Sequence, residues 1–527
     1  MPRADTALTA HRWATERAVD LWAFFSADLG AREASVLAAT FAAIRADGGR
    51  LALVVPPGHE PDLSRPAVDL VVAAPNAPSP FGLFRALEAA GVGDARRLGV
   101  VGMSANALEA GHRAGAGAIV GLAGSGTARR ALLAGQPDAI VDIAEFAAHD
   151  AVHYASARAH RERVLLNPGP SVVSDRVHRA VGGPDLCHRE PEYTEIFRRV
   201  RQDLLRAAGV GDDWAVVLLA GSGTAAMEAM TGAGARPGRK LLVCRNGIYG
   251  ERIETIARRL GQEVTIVDAP VTVPIDPAAV AAALAADPTI DAVAVIHHET
   301  TTGLLNPVRE IAAVADAHGV LTQVDAISSL GAEDLELPGS GIDFVACTSN
   351  KCLHGLPGAA FVLVSPRGQA RAAAVPPRSL YFDMPNYLRA QEKGTVPFTP
   401  AIPAIYGLAA ALDELFDEGL ERRREHYRER MAYLDAEFDR LGLELLVAPE
   451  HRSRSVRSLR LPDGLAYETL HDALKADGYV IYAGLGDALK TTFRVCALGD
   501  LDVGALEGFV ASLERVLAQR PAVANVR

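Results

Sequence analysis

Two hydrophobic periods alternate along the first 150 residues. A helical, alanine-rich stretch (31–46) precedes the apolar runs LALVV (51–55) and VDLVVA (68–73). Then come the helical FGLFRALEAAG, the run LGVVG (98–102), the helical ANALEAGHRAGA and the short run AIVGL. Short apolar runs between amphipathic segments predict an α/β unit on a parallel sheet. Residues 151–163 (AVHYASARAHRER) are charged and show no apolar face, so they read as a linker closing a domain at 1–150.

From VLLNPGP (164–170) a second, longer pattern begins. Its strand candidates are AVVLLA (215–220), KLLVCR (240–245), DAVAVIH (291–297), GVLTQVDA (319–326), DFVACT (343–348) and AAFVLVS (359–365). Helical segments separate most of them, which predicts a mostly parallel sheet covered on both faces over 164–400. Beyond that a long charged helix, roughly 407–441, precedes strand-like SVRSLRLP, helical YETLHDALKADG and strand-like VIYAG and TTFRVCA. Residues 401–527 therefore read as a smaller α+β domain, with LERRREHYRER as the solvated face of its long helix. The heptad LAGSGTA occurs at 122–128 and again at 219–225, but the flanks differ, so it reads as coincidence rather than duplication.

Composition narrows the function. A chain of 527 residues, 49% hydrophobic and 22% charged, has material for two to four globular domains. A net charge of −11 argues against a nucleic-acid or anionic-membrane surface and leaves small molecules as partners. Cys187, Cys244, Cys347, Cys352 and Cys496 are scattered, with no CxxC or Cys/His metal spacing, which predicts a reducing, cytoplasmic setting without zinc. No run reaches membrane-spanning length, and the start MPRADTALTAHRWATER carries acids and no apolar h-region.

Candidate chemistry lies in the second part. In FVACTSNKCLHG (344–355) an apolar run ends in small polar residues and then Lys351, where a lysine can condense with an aldehyde cofactor. Asp325 lies 26 residues upstream in LTQVDAISSL, where it could keep a pyridine nitrogen protonated. AVVLLA–GSGT–AAMEAM is strand, glycine turn and helix, so Ser222, Gly223 and Thr224 could offer N–H and hydroxyl donors to a phosphate. Tyr249 in NGIYGERI could lie flat on a pyridine ring, with Ile327 on the opposite face. Thr300 in HHETTTGLLNP could donate to a ring oxygen, with Glu299 ordering the loop, and Asn350 stands beside Lys351. Each segment alone reads equally well as an ordinary turn or strand end. In this order, phosphate cradle, acid and lysine together indicate pyridoxal 5′-phosphate.

These motifs carry a resemblance. Residues 164–510 are similar to class V, fold-type I aminotransferases, and within them to the 2-aminoethylphosphonate aminotransferases, through LLNPGP, GSGT, NGIYGER, ETTTGLLNP, DAISS, SNKCLHGLPG, FTP, and GYVIYAG followed by FRV. The resemblance implies a large α/β domain with a small C-terminal α+β domain, working as a homodimer with shared sites. It makes Lys351 the cofactor-binding lysine and proton shuttle, Asp325 the pyridinium partner and Tyr249 the stacking ring. Thr399 would reach the partner subunit's phosphate site. Arg494 would grip the substrate's carboxylate or phosphonate, with Arg189, His188 and Arg252 as further anion contacts. The implied reaction moves an amino group between 2-aminoethylphosphonate and pyruvate, in either direction. Two departures bear on substrate: Val396–Pro397 stand where relatives often carry an arginine, and Cys496 where they often carry glycine. A serine- or alanine–glyoxylate type of transaminase, and from another class an inactive scaffold binding the cofactor or a phosphonate, stay open. A cysteine desulfurase is disfavoured because no cysteine sits in a plainly mobile loop.

The first part resembles the C-terminal half of a haloacid-dehalogenase (HAD)-like hydrolase through VVG, EAGHRAGA and DAIVD, which implies a Rossmann-like α/β domain. Its chemistry is missing. The nearest nucleophile motif, DTALT at Asp5, follows no strand; Pro56–Pro57 replace a hydroxyl residue; and Gly102, Met103 and Ser104 replace the magnesium-binding acids. The expectation is a degenerate domain.

Overall fold

Two units account for the chain, Met1–Glu162 and Arg163–Arg527. The computed structural model describes residues 21–25, 50–55, 69–73, 79–92, 95, 98–116, 118–123, 132, 139–142, 163–484 and 491–518. The expected helix at 31–46, the linker at 151–162, Asp5, Pro56–Pro57 and residues 124–128 of the first LAGSGTA lie outside them.

In the first unit β1 (Leu21–Phe25), β2 (Arg50–Val55), β3 (Leu70–Ala73), β4 (Leu98–Gly102), β5 (Ala118–Ala123) and β6 (Ala139–Asp142) form one sheet, in the order β3-β2-β1-β4-β5-β6. Every pair is parallel. β1 corrects the sequence reading, which has no strand before LALVV. LWAFF is too short to show a period, and it becomes a strand by pairing on both sides, Trp22 opposite Leu51 and opposite Gly99. Helices Phe81–Ala90 and Ala105–Ala114 end at Gly91 and Gly115, whose φ of 65° and 72° favour glycine. Leu21, Leu98, Val100, Leu83, Ala86 and Leu108 meet in its core, all fully buried.

The second unit opens with β7 (Val164–Leu165) and is built on seven strands: β8 (Ala215–Gly221), β9 (Lys240–Arg245), β10 (Glu263–Asp268), β11 (Ile290–Ile296), and, after the hairpin β12 (His298–Glu299) and β13 (Leu304–Leu305), β14 (Leu321–Asp325), β15 (Phe344–Thr348) and β16 (Gly358–Val364). Their order is β10-β9-β11-β14-β15-β16-β8, and only β16 runs antiparallel to its neighbours. β11, β14 and β15 are buried along their whole length, as a sheet with both faces covered requires. β10, absent from the sequence reading, is an edge strand: EVTIVD is exposed at both ends and half-exposed between, and its polar positions mask the apolar run.

A small C-terminal α+β domain follows. Strands β17 (Val456–Arg460), β19 (Tyr482–Ala483) and β20 (Thr492–Cys496) form an antiparallel sheet, while β18 (Tyr479–Val480) pairs with β7. The single long helix expected at 407–441 is two, Ile402–Glu418 and Leu420–Arg440, broken at Gly419 with φ 91°. LERRREHYRER is also not simply a solvated face: Arg423 is 4% exposed and paired with Glu418, and Tyr427 is fully buried. Arg430 donates inward to the Gly499 and Leu501 carbonyls. Charge on this helix is spent joining it to the domain. Among the described residues no helix is long and apolar enough to cross a membrane.

Candidate active site

The C-terminal ends of the central parallel strands face one cavity of about 160 Å³. Its lining is Ser222, Gly223, Thr224, Tyr249, Arg252, His298, Thr300, Asp325, Ile327, Ser328, Thr348, Asn350 and Lys351. Ten residues named from sequence thus come together: the three of the turn, Tyr249, Arg252, Thr300, Asp325, Ile327, Asn350 and Lys351.

Asp325 is the last residue of β14, 3% exposed, and one carboxylate oxygen accepts the Ile327 N–H at 2.8 Å. Burial pushes its carboxyl up to about 7, with the Glu299 charge adding to the rise and Lys351 and Arg252 opposing it. A cationic group against it would restore the carboxylate.

Lys351 lies in the turn after β15, which its own polar residues brace. The Thr348 hydroxyl donates to Asn350 Oδ1 at 2.8 Å, and the Ser349 hydroxyl donates to the Ala359 carbonyl at 3.0 Å. The Lys351 Nζ donates to the Pro168 carbonyl. Next along that loop Gly169 has φ 121°, and a Cβ there would stand 2.7–2.8 Å from Lys351 Cδ, Cε and Nζ. Only glycine lets the loop close over the lysine. NPGP therefore belongs to the site, although in the sequence it contributes nothing beyond family likeness.

The phosphate turn joins β8 to helix Gly223–Gly234. Ser222 is the N-cap and makes no side-chain capping bond, so the first helical N–H groups keep their need for an acceptor. Gly223 lies close against Ile327, and a Cβ there would meet Ile327 Cδ1 at 2.7 Å and push that side chain aside. Tyr249 is held from behind: its N–H donates to Glu299 Oε2 at 3.2 Å, and a Cβ at Gly247 would collide with that carboxylate. Glu299 is fully buried, and burial raises its carboxyl.

Two buried polar atoms at the cavity have no partner, the Thr300 hydroxyl and His298 Nε2. His298 Nδ1 is 2.9 Å from the Ser328 carbonyl, and a carbonyl only accepts, so Nδ1 carries the hydrogen. Burial holds this imidazole down to about 3, leaving Nε2 a bare acceptor. His298, Ser328 and Thr348 are additions to the sequence reading; the doubled histidine of HHETTTG was their one visible signal. These unpartnered atoms, the uncapped turn and the buried acid fit pyridoxal phosphate: donors for phosphate and ring oxygen, an acid for the pyridine nitrogen and an amine for the aldehyde.

The remaining predicted residues do not line the cavity. Arg494, 2% exposed, donates to the Ala483 carbonyl at 2.9 Å and to the Thr300 carbonyl at 3.0 Å, which brings it to the Thr300 edge. Arg189 is exposed and His188 half-exposed in the segment before helix Pro191–Ala207, so within one chain neither touches the cavity. Their placement as substrate contacts is corrected to that extent, since sequence proximity to a motif carries no direction in space. Thr399 is exposed and lines a different hollow with Tyr381, Tyr387 and Phe398. Val396, 7% exposed, packs into the core.

A lysine and an acid at the ends of neighbouring parallel strands, facing a helix-terminal phosphate turn on a sheet of this order, define a pyridoxal-phosphate enzyme of fold type I. The chain belongs to the class V aminotransferases: the family model described as Aminotransferase class-V matches residues 173–495. It is a pyridoxal-phosphate-dependent aminotransferase. A 2-aminoethylphosphonate–pyruvate transaminase of Syntrophobacter fumaroxidans is 37% identical over 341 residues, 64% of this chain and 91% of the relative. One from Burkholderia thailandensis is 37% identical over 359 residues, 67% of this chain and 96% of the relative. Among solved structures, an aspartate aminotransferase of subgroup IV from Thermus thermophilus is 31% identical with a TM-score of 0.62, covering 67% of this chain and 99% of that one.

Proposed function

We propose that this aminotransferase exchanges the amino group of 2-aminoethylphosphonate with pyruvate, giving phosphonoacetaldehyde and L-alanine, or runs the reverse. The observation that carries the reading is Lys351 and Asp325 in one cavity with the Ser222–Thr224 turn, in a chain alignable over nearly the whole length of phosphonate transaminases. Bound pyridoxal phosphate supplies a ring that accepts the electron pair left on the substrate carbon. Lys351 Nζ would hold the aldehyde carbon of that cofactor and, when free, would serve as the proton carrier. The Pro168 carbonyl gives that amine a resting acceptor. Asp325 would keep the pyridine nitrogen protonated, Tyr249 and Ile327 would support the ring, and Arg494 would take the substrate's anionic end. Incubation of the protein with 2-aminoethylphosphonate and pyruvate should yield alanine; absence of alanine in both directions rejects the assignment.

A second reading is supported by Val396–Pro397. A buried apolar residue and a proline stand where relatives often carry a cation, which favours a less highly charged amine with glyoxylate as acceptor. An alanine–glyoxylate aminotransferase from Nostoc is 25% identical with a TM-score of 0.65, covering 67% of this chain and 95% of that one. A panel of small amines against both keto acids separates the two.

The enzyme is proposed to work as a homodimer in which exposed Thr399 completes the partner's phosphate site. The first unit is proposed to be a HAD-like domain without catalysis. Its β3-β2-β1-β4-β5-β6 order supports that kinship, and Ser26 follows the central strand β1 where a hydrolase of that kind needs an aspartate. Met103 and Ser104 follow β4 where it needs metal-binding acids.

A further inference from the structure

We infer that Arg252 is the charge partner of the cofactor's phosphate, a role separate from substrate binding. Its Nη1 donates to the Thr224 hydroxyl at 3.1 Å, and its guanidinium lies 4.7 Å from the centre of the Tyr249 ring. It thus bridges the phosphate turn and the aromatic ring beside it. Two arginines near it are neutralised: Arg245 and Arg258 each pair with Glu254, at 2.8 and 2.9 Å. Among the described residues Arg252 has no ion pair, and its one hydrogen bond is to Thr224.

Charge arithmetic gives this lone cation its purpose. A phosphate monoester carries about −1.5 to −2 at neutral pH. A helix N-terminus offers the equivalent of roughly +0.5, so the Ser222–Thr224 turn leaves most of that charge unmet. The lining cations are Arg252 and Lys351, because His298 is held neutral. Lys351 is committed to the Pro168 carbonyl or to the cofactor's aldehyde carbon, which leaves Arg252. Its planar fork is oriented by stacking on Tyr249, so little freedom is lost on meeting the phosphate. Arg494, tied to the Thr300 carbonyl, stands at a different part of the site. Two arginines thus serve two anions.

The test compares pyridoxal phosphate with pyridoxal, which has the same ring and aldehyde but no phosphate. Apoprotein is titrated with each, and bound coenzyme is read by its visible absorbance and, after borohydride reduction, by mass on Lys351. Arg252→Gln should weaken pyridoxal phosphate roughly 10- to 100-fold, the range for a charge-assisted hydrogen bond, with pyridoxal changed less than about twofold. Arg252→Lys, which keeps the charge, should fall between Gln and wild type. Equal loss of both ligands, or loss of neither, overturns the inference; the Lys variant supplies the comparison if Gln does not fold. Wild-type uptake of pyridoxal phosphate on Lys351 tests the cofactor assignment separately.

Discussion

Both units of this chain carry a largely parallel sheet, yet they differ in the residues that follow their central strands. In the second unit the ends of β14 and β15 lead into Asp325 and the Lys351 turn, and β8 leads into an uncapped glycine turn. In the first, β1 leads into Ser26 and β4 into Met103 and Ser104, and Ser104 spends its hydroxyl accepting the Ala107 N–H at 3.3 Å. The heptad LAGSGTA makes the contrast within one motif. At 219–225 it spans β8 and the start of helix Gly223–Gly234, lining a cavity with residues from Tyr249 to Lys351. At 122–128 its first two residues end β5. An architecture offers positions at strand ends, and chemistry exists only where side chains of several elements converge on one of them.

The comparison breaks most directly at Lys351. Lys351→Ala should lower kcat by about 10³-fold or more, since it removes the covalent and the proton-carrying group together, and steady-state kinetics would show it. Undiminished turnover would place the chemistry outside the Lys351 cavity and remove the contrast between the units. Asp325→Asn comes next, with a loss of about 10²-fold in kcat as the pyridine nitrogen loses its ionised partner.

The same carboxyl gives a pH signature. Unfolded, it returns to the ordinary value of 3.8, while burial holds it at about 7 in the folded apoprotein, which therefore binds an extra proton between those values. That contribution to stability is complete below about pH 4 and is lost as pH rises through 7. Thermal unfolding of apoprotein from pH 4 to 8 should show the decline, and Asp325→Asn should remove Asp325's share of it.

Smaller effects sharpen the contrast. Gly169→Ala places a methyl on the Lys351 side chain at an unfavourable φ, a strain on the order of 1–3 kcal/mol, and should slow covalent cofactor uptake about tenfold or more. Stopped-flow absorbance on adding coenzyme to apoprotein would measure it. Ser104→Ala in the first unit should cost about 1 kcal/mol of that unit's stability through the lost helix cap and leave transamination unchanged. A changed kcat there would give the first unit a part in the reaction.

Ten of the thirteen cavity residues were legible in sequence because each sits in a strand-end, glycine-turn or NGIYGER motif with a chemical group suited to the cofactor or an anion. His298 was not, because a histidine after an apolar strand announces neither its tautomer nor its missing partner; both depend on the Ser328 carbonyl 30 positions away. Gly169 was not, because its reason for being glycine is a lysine 182 positions later. The solvated reading of LERRREHYRER failed for a related reason: the same charges serve water or buried carbonyls, and only packing decides which.

By itself the sequence determined the alternation of elements, the two-part organisation and the order of phosphate turn, acid and lysine, since periodicity and turn chemistry are local. Tertiary structure decided that LWAFF is a central strand, that Glu299 anchors the Tyr249 helix, and that Arg252 meets the Thr224 hydroxyl at the phosphate turn. Those are matters of which surfaces exclude water together, and burial, pairing and charge compensation arise only between residues that folding makes neighbours.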